Sequence, residues 1–278
     1  MRRHARSALF AMLAALLAAG CTPAPAPTPP DGAPQRVVSL DYCADQYVLR
    51  FADRGAIAAL SPDAGKRFSY MRARAAGLPI VRPRAAEVIA LQPDLVVRSY
   101  GGGPEVEGFL TELGVPVVQI GFPQTLAEVR DEVVRVGSAL GAAAEARRVA
   151  ADMDRRLAAL PPSAGPRPTA LYMTPGGVTS GEGTLVQEVL TAAGLANFQQ
   201  RPGWNPLPLE RLAYERPDVI VAASFDGADA WSVARHPVAR AQTARAPTVP
   251  LEGAWTSCGG WFLVDAVEAL AEAREAIR

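Results

Sequence analysis

A chain of 278 residues in which 28 basic side chains balance 28 acidic ones carries no strong electric field, which excludes a nucleic-acid binder working by phosphate neutralisation. With 49% hydrophobic and 20% charged residues it is no disordered polymer, and it holds enough apolar material for one large or two smaller globular units. Two histidines (His4, His236) and three cysteines (Cys21, Cys43, Cys258) are too few for zinc sites of repeated Cys/His spacing.

Arg2, Arg3 and Arg6 precede an apolar run from Ala8 to Ala19 that ends in Ala18-Ala19-Gly20-Cys21, the layout of an export signal over residues 1–21. Those 12 apolar residues fall short of the roughly 17 to 25 that a membrane-spanning helix needs. The small residues before Cys21 match a bacterial lipoprotein cleavage box except that Ala18 stands where leucine is usual. Cys21 is therefore the expected lipidated amino terminus, with ordinary cleavage after Ala24 or Ala26 as the alternative. Residues 22–35 read as a tether: six of the 13 residues from Thr22 to Pro34 are proline. Extended at about 3.1 Å per residue, they reach about 40 Å from a membrane surface.

The folded part opens at Arg36-Val37-Val38-Ser39-Leu40, a run without strict alternation, as expected of a strand covered on both faces. Similar runs recur at 94–97, 115–120, 170–173 and 218–221 with helical patterns between them, which predicts an α/β fold with mostly parallel sheets. One pattern occurs twice. Glu87-Val88-Ile89-Ala90-Leu91-Gln92-Pro93-Asp94 followed by Leu95-Val96-Val97 is echoed, one residue longer, from Glu210 through Pro217-Asp218 to Val221. In each copy a helical turn carrying a glutamate is stopped by Pro-Asp and followed by a buried strand, which predicts two lobes of related construction.

Between them, Ala142 to Leu160 contains neither Gly nor Pro and places Ala146, Val149, Met153, Leu157 and Leu160 on one helical stripe, about 28 Å long. The expected organisation is a lobe over 36–141, a stiff connecting helix over 142–161 and a second lobe over 162–278, with little opening between the lobes.

In order and spacing these segments resemble the helical-backbone substrate-binding proteins of ABC importers for vitamin B12 and ferric siderophores. The resemblance rests on the opening strand, on 87–97, on Leu113-Gly114-Val115-Pro116-Val117, and on Thr179-Ser180-Gly181 through Gly194-Leu195-Ala196-Asn197-Phe198. It implies a class III periplasmic binding protein: two Rossmann-like lobes joined by one long rigid helix, without catalysis or cofactor and expected to be monomeric. Its partners would be a corrinoid, ferric siderophore or haem and a membrane permease. It also implies that Glu87 and Glu210, otherwise simply solvent-facing charges, meet arginine pockets on that permease.

Trp204 lies where the vitamin B12-binding member has a tryptophan that packs on its ligand, and the alternative for it is local packing. Tyr42 and Tyr100 follow strand ends, where open α/β sheets bind ligands. Tyr70 and Trp255 are further candidates for the cleft, while Trp231 and Trp261 read as packing residues. Aromatic faces suit a large, flat, partly apolar ligand. The last loop, Ala254 to Gly260, lacks the charged residues that touch ligand in the vitamin B12-binding member, which leaves the corrinoid assignment open.

Cys43 and Cys258 each follow a predicted strand at the expected cleft face, in an oxidising compartment. A disulfide between them is expected, with two buried thiols or a thiolate touching a bound metal complex as the alternatives. The rival reading is an extracytoplasmic two-lobed α/β enzyme for glycosyl transfer or hydrolysis using Asp41 and Asp45, although aspartates near a helix start more often cap it. His236 stands before a turn proline with no G-x-S-x-G motif anywhere in the chain, and reads as a surface residue.

Overall fold

The computed structural model describes residues 32–162, 165–224 and 233–277. The export signal, Cys21, most of the tether and Trp231 lie outside the described residues.

Strands β1 (Val37–Ser39), β2 (Ile57–Ala59), β3 (Leu95–Arg98) and β4 (Val117–Gln119) form a parallel sheet in the order β2-β1-β3-β4. Strands β5 (Thr169–Met173), β7 (Ala196–Asn197), β9 (Val219–Ser224) and β10 (Thr248–Glu252) form a second, in the order β10-β9-β5-β7, also parallel. Numbered within its own lobe, each sheet runs 2-1-3-4, so the two lobes share one topology. A short antiparallel ribbon of β6 (Val178–Ser180) and β8 (Trp204–Pro206) is added to the second lobe. Every residue of β1 and β3 is buried, the burial expected of parallel strands covered on both faces. Strands β2 and β10 were not legible as strands. The first is Ile-Ala-Ala; the second carries Pro250, which an edge position tolerates because one side of the strand needs no partner.

The covering helices of the first lobe are α1 (Tyr42–Phe51), α2 (Arg72–Ala75), α3 (Ala85–Ile89), α4 (Val106–Glu112) and α5 (Leu126–Ala139). Helix α6 (Ala143–Ala158) follows, and then α7 (Leu185–Ala192), α8 (Leu209–Tyr214), α9 (Pro237–Thr243) and α10 (Leu263–Ile277). Helix α6 begins one residue later and stops earlier than its stripe suggests. It buries Ala146, Val149, Ala150 and Met153, while Leu157 and Leu160 pack partly against the same core.

The connection between the lobes is more than this helix. One apolar cluster runs from Val37 and Val97 beneath the first sheet, through Val133 on α5 and Met153 on α6, to Val221 and Leu270 in the second lobe. Each lobe keeps a separate cluster elsewhere, around Val38 and Val96 in the first and around Leu171 and Leu212 in the second. Close-packed interiors resist shear, so the lobes are held by shared packing as well as by the helix between them. Arg156 of α6 adds ion pairs to Asp265 (2.6 Å) and Glu268 (2.5 Å) of α10.

The duplicated Pro-Asp pattern has a structural meaning. Asp94 accepts backbone N–H groups of Gln35 (2.7 Å) and Arg36 (2.9 Å), just ahead of β1. Asp218 accepts the N–H of Thr169 (2.7 Å), the first residue of β5. In each lobe the aspartate that follows the helix-ending proline ties down the start of the neighbouring strand, satisfying donors at the sheet's end.

Candidate functional site

The carboxyl ends of the strands in both lobes open onto one cavity of about 430 Å³. The first lobe contributes Tyr42 and Cys43 after β1, Ser99 and Tyr100 after β3, and Phe122 after β4. From the second lobe come Thr184 and Leu185 at the start of α7, Trp204 on the ribbon, and Thr256 to Gly259 after β10. Loops after β1 and β3 lie at the point where strand order reverses, the usual ligand position of a doubly wound sheet.

Asp41 builds the first wall. As N-cap of α1 it accepts the N–H of Ala44, and the same carboxylate accepts the N–H groups of Ser99 (2.7 Å), Tyr100 (3.0 Å) and Gly101 (2.9 Å) and the Ser99 hydroxyl (2.8 Å). Arg98, 5% exposed, holds the far side of that loop by donating to the carbonyls of Gly101 (3.0 Å) and Gly103 (2.8 Å). Position 101 must be glycine for this arrangement, since a Cβ there collides with the carbonyl oxygen of Leu40. Together these contacts set Tyr100 at the cavity with half its surface open.

The lobes meet beside the cavity. Cys43 and Cys258 are joined by a disulfide. The Tyr42 hydroxyl donates to the carbonyl of Ser257 (3.3 Å), the Tyr47 hydroxyl to that of Gly259 (2.8 Å), and the Ser257 hydroxyl to that of Phe68 (2.8 Å). The Tyr42 ring sits edge-on to Phe68 and Tyr100, with centroids 4.9 and 5.9 Å away. Burial raises the pKa of Tyr42 and of Tyr100 above the ordinary tyrosine value, and the nearby carboxylates of Asp41 and Asp63 push both further up. Their hydroxyls stay protonated.

Of the sequence candidates, Tyr42, Tyr100 and Trp204 line this one cavity. Trp204 does so from a strand rather than from the irregular loop its Gly/Pro surroundings suggest; it pairs with Ser180 and leaves 56% of its surface open. Tyr70 and Trp255 are not in the cavity wall. The Tyr70 hydroxyl donates to Asp265 (2.8 Å) and its ring stacks on Phe262 (4.6 Å), so it is used up in lobe–lobe packing. Trp255 packs against the main core. Trp261, too, is a packing residue, edge-on to Tyr47 and Phe51.

Phe122 was missed. It is 79% exposed and lines the cavity, and its place directly after a strand run, in Gly121-Phe122-Pro123, is the same signal that marks Tyr42 and Tyr100. The carboxylates of the enzymatic reading are buried and absent from the wall. Asp41 is engaged as described, and Asp45 accepts the N–H (3.0 Å) and hydroxyl (2.6 Å) of Ser61. His236 is an exposed N-cap of α9, accepting the N–H of Val238.

Glu87 lies in the first turn of α3, ion-paired with Arg82 (3.1 Å) and Arg84 (3.7 Å); Glu210 lies exposed in the first turn of α8. Both helices lead into a central strand of their sheet, so the two glutamates hold equivalent places in the two lobes. No helix among the described residues is long and apolar enough to cross a membrane.

A family model described as periplasmic binding protein matches residues 84–246. A cobalamin-binding protein of Halobacterium salinarum is 28% identical over 219 residues, 73% of this chain; the chain spans 58% of that relative's length. Among solved structures, a periplasmic heme binding protein from Pseudomonas aeruginosa superposes with a TM-score of 0.65 at 23% identity, over 86% of this chain and 92% of that one. The periplasmic vitamin B12 binding protein of Vibrio cholerae does so with a TM-score of 0.63 at 19% identity, over 88% and 98%. These likenesses establish a shared fold.

Proposed function

The chain belongs to the periplasmic binding protein family, and from that premise we propose that it is the substrate-binding component of an ABC importer, capturing a metal chelate of the corrinoid or ferric siderophore type. The observation that carries this reading is the convergence of Tyr100, Phe122 and Trp204. These three exposed aromatic side chains on three separate segments of two lobes line a single cavity. Exposed apolar side chains scattered singly are ordinary; aromatics gathered on a concave wall offer broad contact area to a flat ligand at little entropic cost. The likeness to cobalamin-binding and heme-binding proteins supports the same class of cargo.

In this reading the lobes grip the chelate as a nearly rigid pair, and Glu87 and Glu210, one per lobe, present the loaded protein to the permease through arginine pockets. Lipid attached at Cys21 and the proline-rich stretch behind it keep the protein near that permease on the periplasmic face. Titration calorimetry with cobalamin, haem and a panel of ferric siderophores tests the central claim: one of them binds at micromolar affinity or tighter, and silence from all rejects it. Mass spectrometry of the mature amino terminus tests the anchor, expecting a diacylglyceryl adduct on Cys21.

A further inference from the structure

Among the described residues the cavity wall carries no arginine, lysine, histidine, aspartate or glutamate. Its polar side-chain groups are neutral: the hydroxyls of Tyr42, Ser99, Tyr100, Thr184, Thr256 and Ser257, the carboxamide of Gln124 and the indole N–H of Trp204. The cation closest in sequence to the wall, Arg98, is turned away onto the carbonyls of Gly101 and Gly103 and lies 3.5 Å from Glu107. A carboxylate brought into such a site loses its hydration and meets no compensating charge.

The wall is equally poor in groups that bind metal. Its two sulfurs are bonded to each other, so neither is a thiolate. Among the described residues it contains neither histidine nor methionine. The tyrosine oxygens remain protonated, since burial and the carboxylates of Asp41 and Asp63 both oppose phenolate formation. What the wall offers a chelate is aromatic faces and a few neutral polar groups, of which the hydroxyls of Tyr42, Ser99 and Thr184 already bond within the protein.

Resting on the metal-chelate reading above, we infer that the cargo is an uncharged chelate whose metal already holds its full set of ligands, gripped only through its organic shell. Chelates bearing carboxylates, such as porphyrins with propionate arms, are discriminated against.

The test titrates the full chain with cyanocobalamin, with a derivative of it in which one peripheral amide is hydrolysed to the acid, with ferrichrome as an uncharged ferric hydroxamate, and with haemin. The expected result is that at least one of cyanocobalamin and ferrichrome binds about a hundredfold more tightly than haemin, with little dependence on salt. If cyanocobalamin is the one, its acid binds about tenfold more weakly. Haemin binding as tightly as the uncharged chelates or tighter, or with a ferric-phenolate charge-transfer band, overturns the inference and leaves the chelate reading standing. Silence from these four compounds and from the wider siderophore panel removes that reading and the inference with it, and binding of only a carboxylate-bearing siderophore overturns the inference alone.

Discussion

Cys43, the second residue of α1, is covalently bonded to Cys258, which lies 215 positions later in the loop after β10, and both line the cavity. An early and a late segment of the fold are thus one unit where the lobes meet. The hydrogen bonds from Tyr42 to Ser257 and from Tyr47 to Gly259 run alongside.

Replacing both cysteines by serine removes a constraint that closes nearly the whole folded chain. On the chain-entropy account a loop of this length contributes about 5 kcal/mol, an upper figure because the unfolded chain is not ideal. The double variant is expected to unfold at distinctly lower denaturant concentration, by about 3 to 5 kcal/mol, and to release cargo faster. Alkylation of the unreduced native protein should label neither position. Unchanged denaturation midpoints would show that the bridge constrains nothing.

The aromatic wall separates binding from folding. Phe122→Ala and Trp204→Ala remove side chains that are 79% and 56% exposed, so melting temperatures should stay within a few degrees of the parent. Affinity for the chelate should fall about tenfold to a hundredfold at each site, the range of a lost aromatic contact. Tyr70→Phe should do the reverse, losing about 1 kcal/mol of stability with its hydrogen bond to Asp265 while affinity holds. Calorimetry paired with thermal melts distinguishes the patterns.

Asp45 supplies a pH signature. Burial, only partly offset by the hydrogen bonds from Ser61, raises its pKa to about 7, well above the unfolded value. Between about pH 4 and 7 the native state therefore holds a proton that the unfolded chain has released, and this group's contribution to stability declines as pH rises, by about 1.4 kcal/mol per unit at most. Asp45→Asn should flatten that decline, with the variant gaining on the parent at pH 8 relative to pH 5. Denaturant unfolding at the two pH values measures it, and parallel pH profiles would contradict the assignment.

If Glu87 and Glu210 dock on the permease as proposed, charge reversal there affects delivery rather than capture. Both side chains lie outside the cavity wall, so Glu87→Arg and Glu210→Arg should leave chelate affinity within about twofold while lowering uptake into cells by more than tenfold. Of the two, Glu210 should weigh more, because Arg82 and Arg84 already neutralise much of the field of Glu87. Uptake unaffected by both reversals would show that the permease does not read these glutamates.

Much of this architecture was legible from local patterns. Apolar runs at 36–40, 94–97 and 218–221 marked central strands because strands covered on both faces need continuous apolar residues. The paired Pro-Asp stops at 93–94 and 217–218 marked corresponding corners of two lobes, since proline ends a helix wherever it occurs. Strand ends also drew attention to Tyr42 and Tyr100, and the same rule applied to 121–123 would have found Phe122. Pro250 hid β10, because an edge position is a property of the assembled sheet and not of the five residues themselves.

Alone, then, the amino-acid order determined the types of the central elements and the twofold plan, both of which depend on chemistry within a dozen positions. Folding decided which aromatics face the cavity. Tyr70 and Trp204 were both cleft candidates, yet one stacks on Phe262 and the other stands open, a difference set by packing among segments as much as 195 positions apart. Folding likewise decided that the lobes share a core and that the described residues of the wall are neutral, because proximity in three dimensions, unlike periodicity, is not written in neighbouring residues.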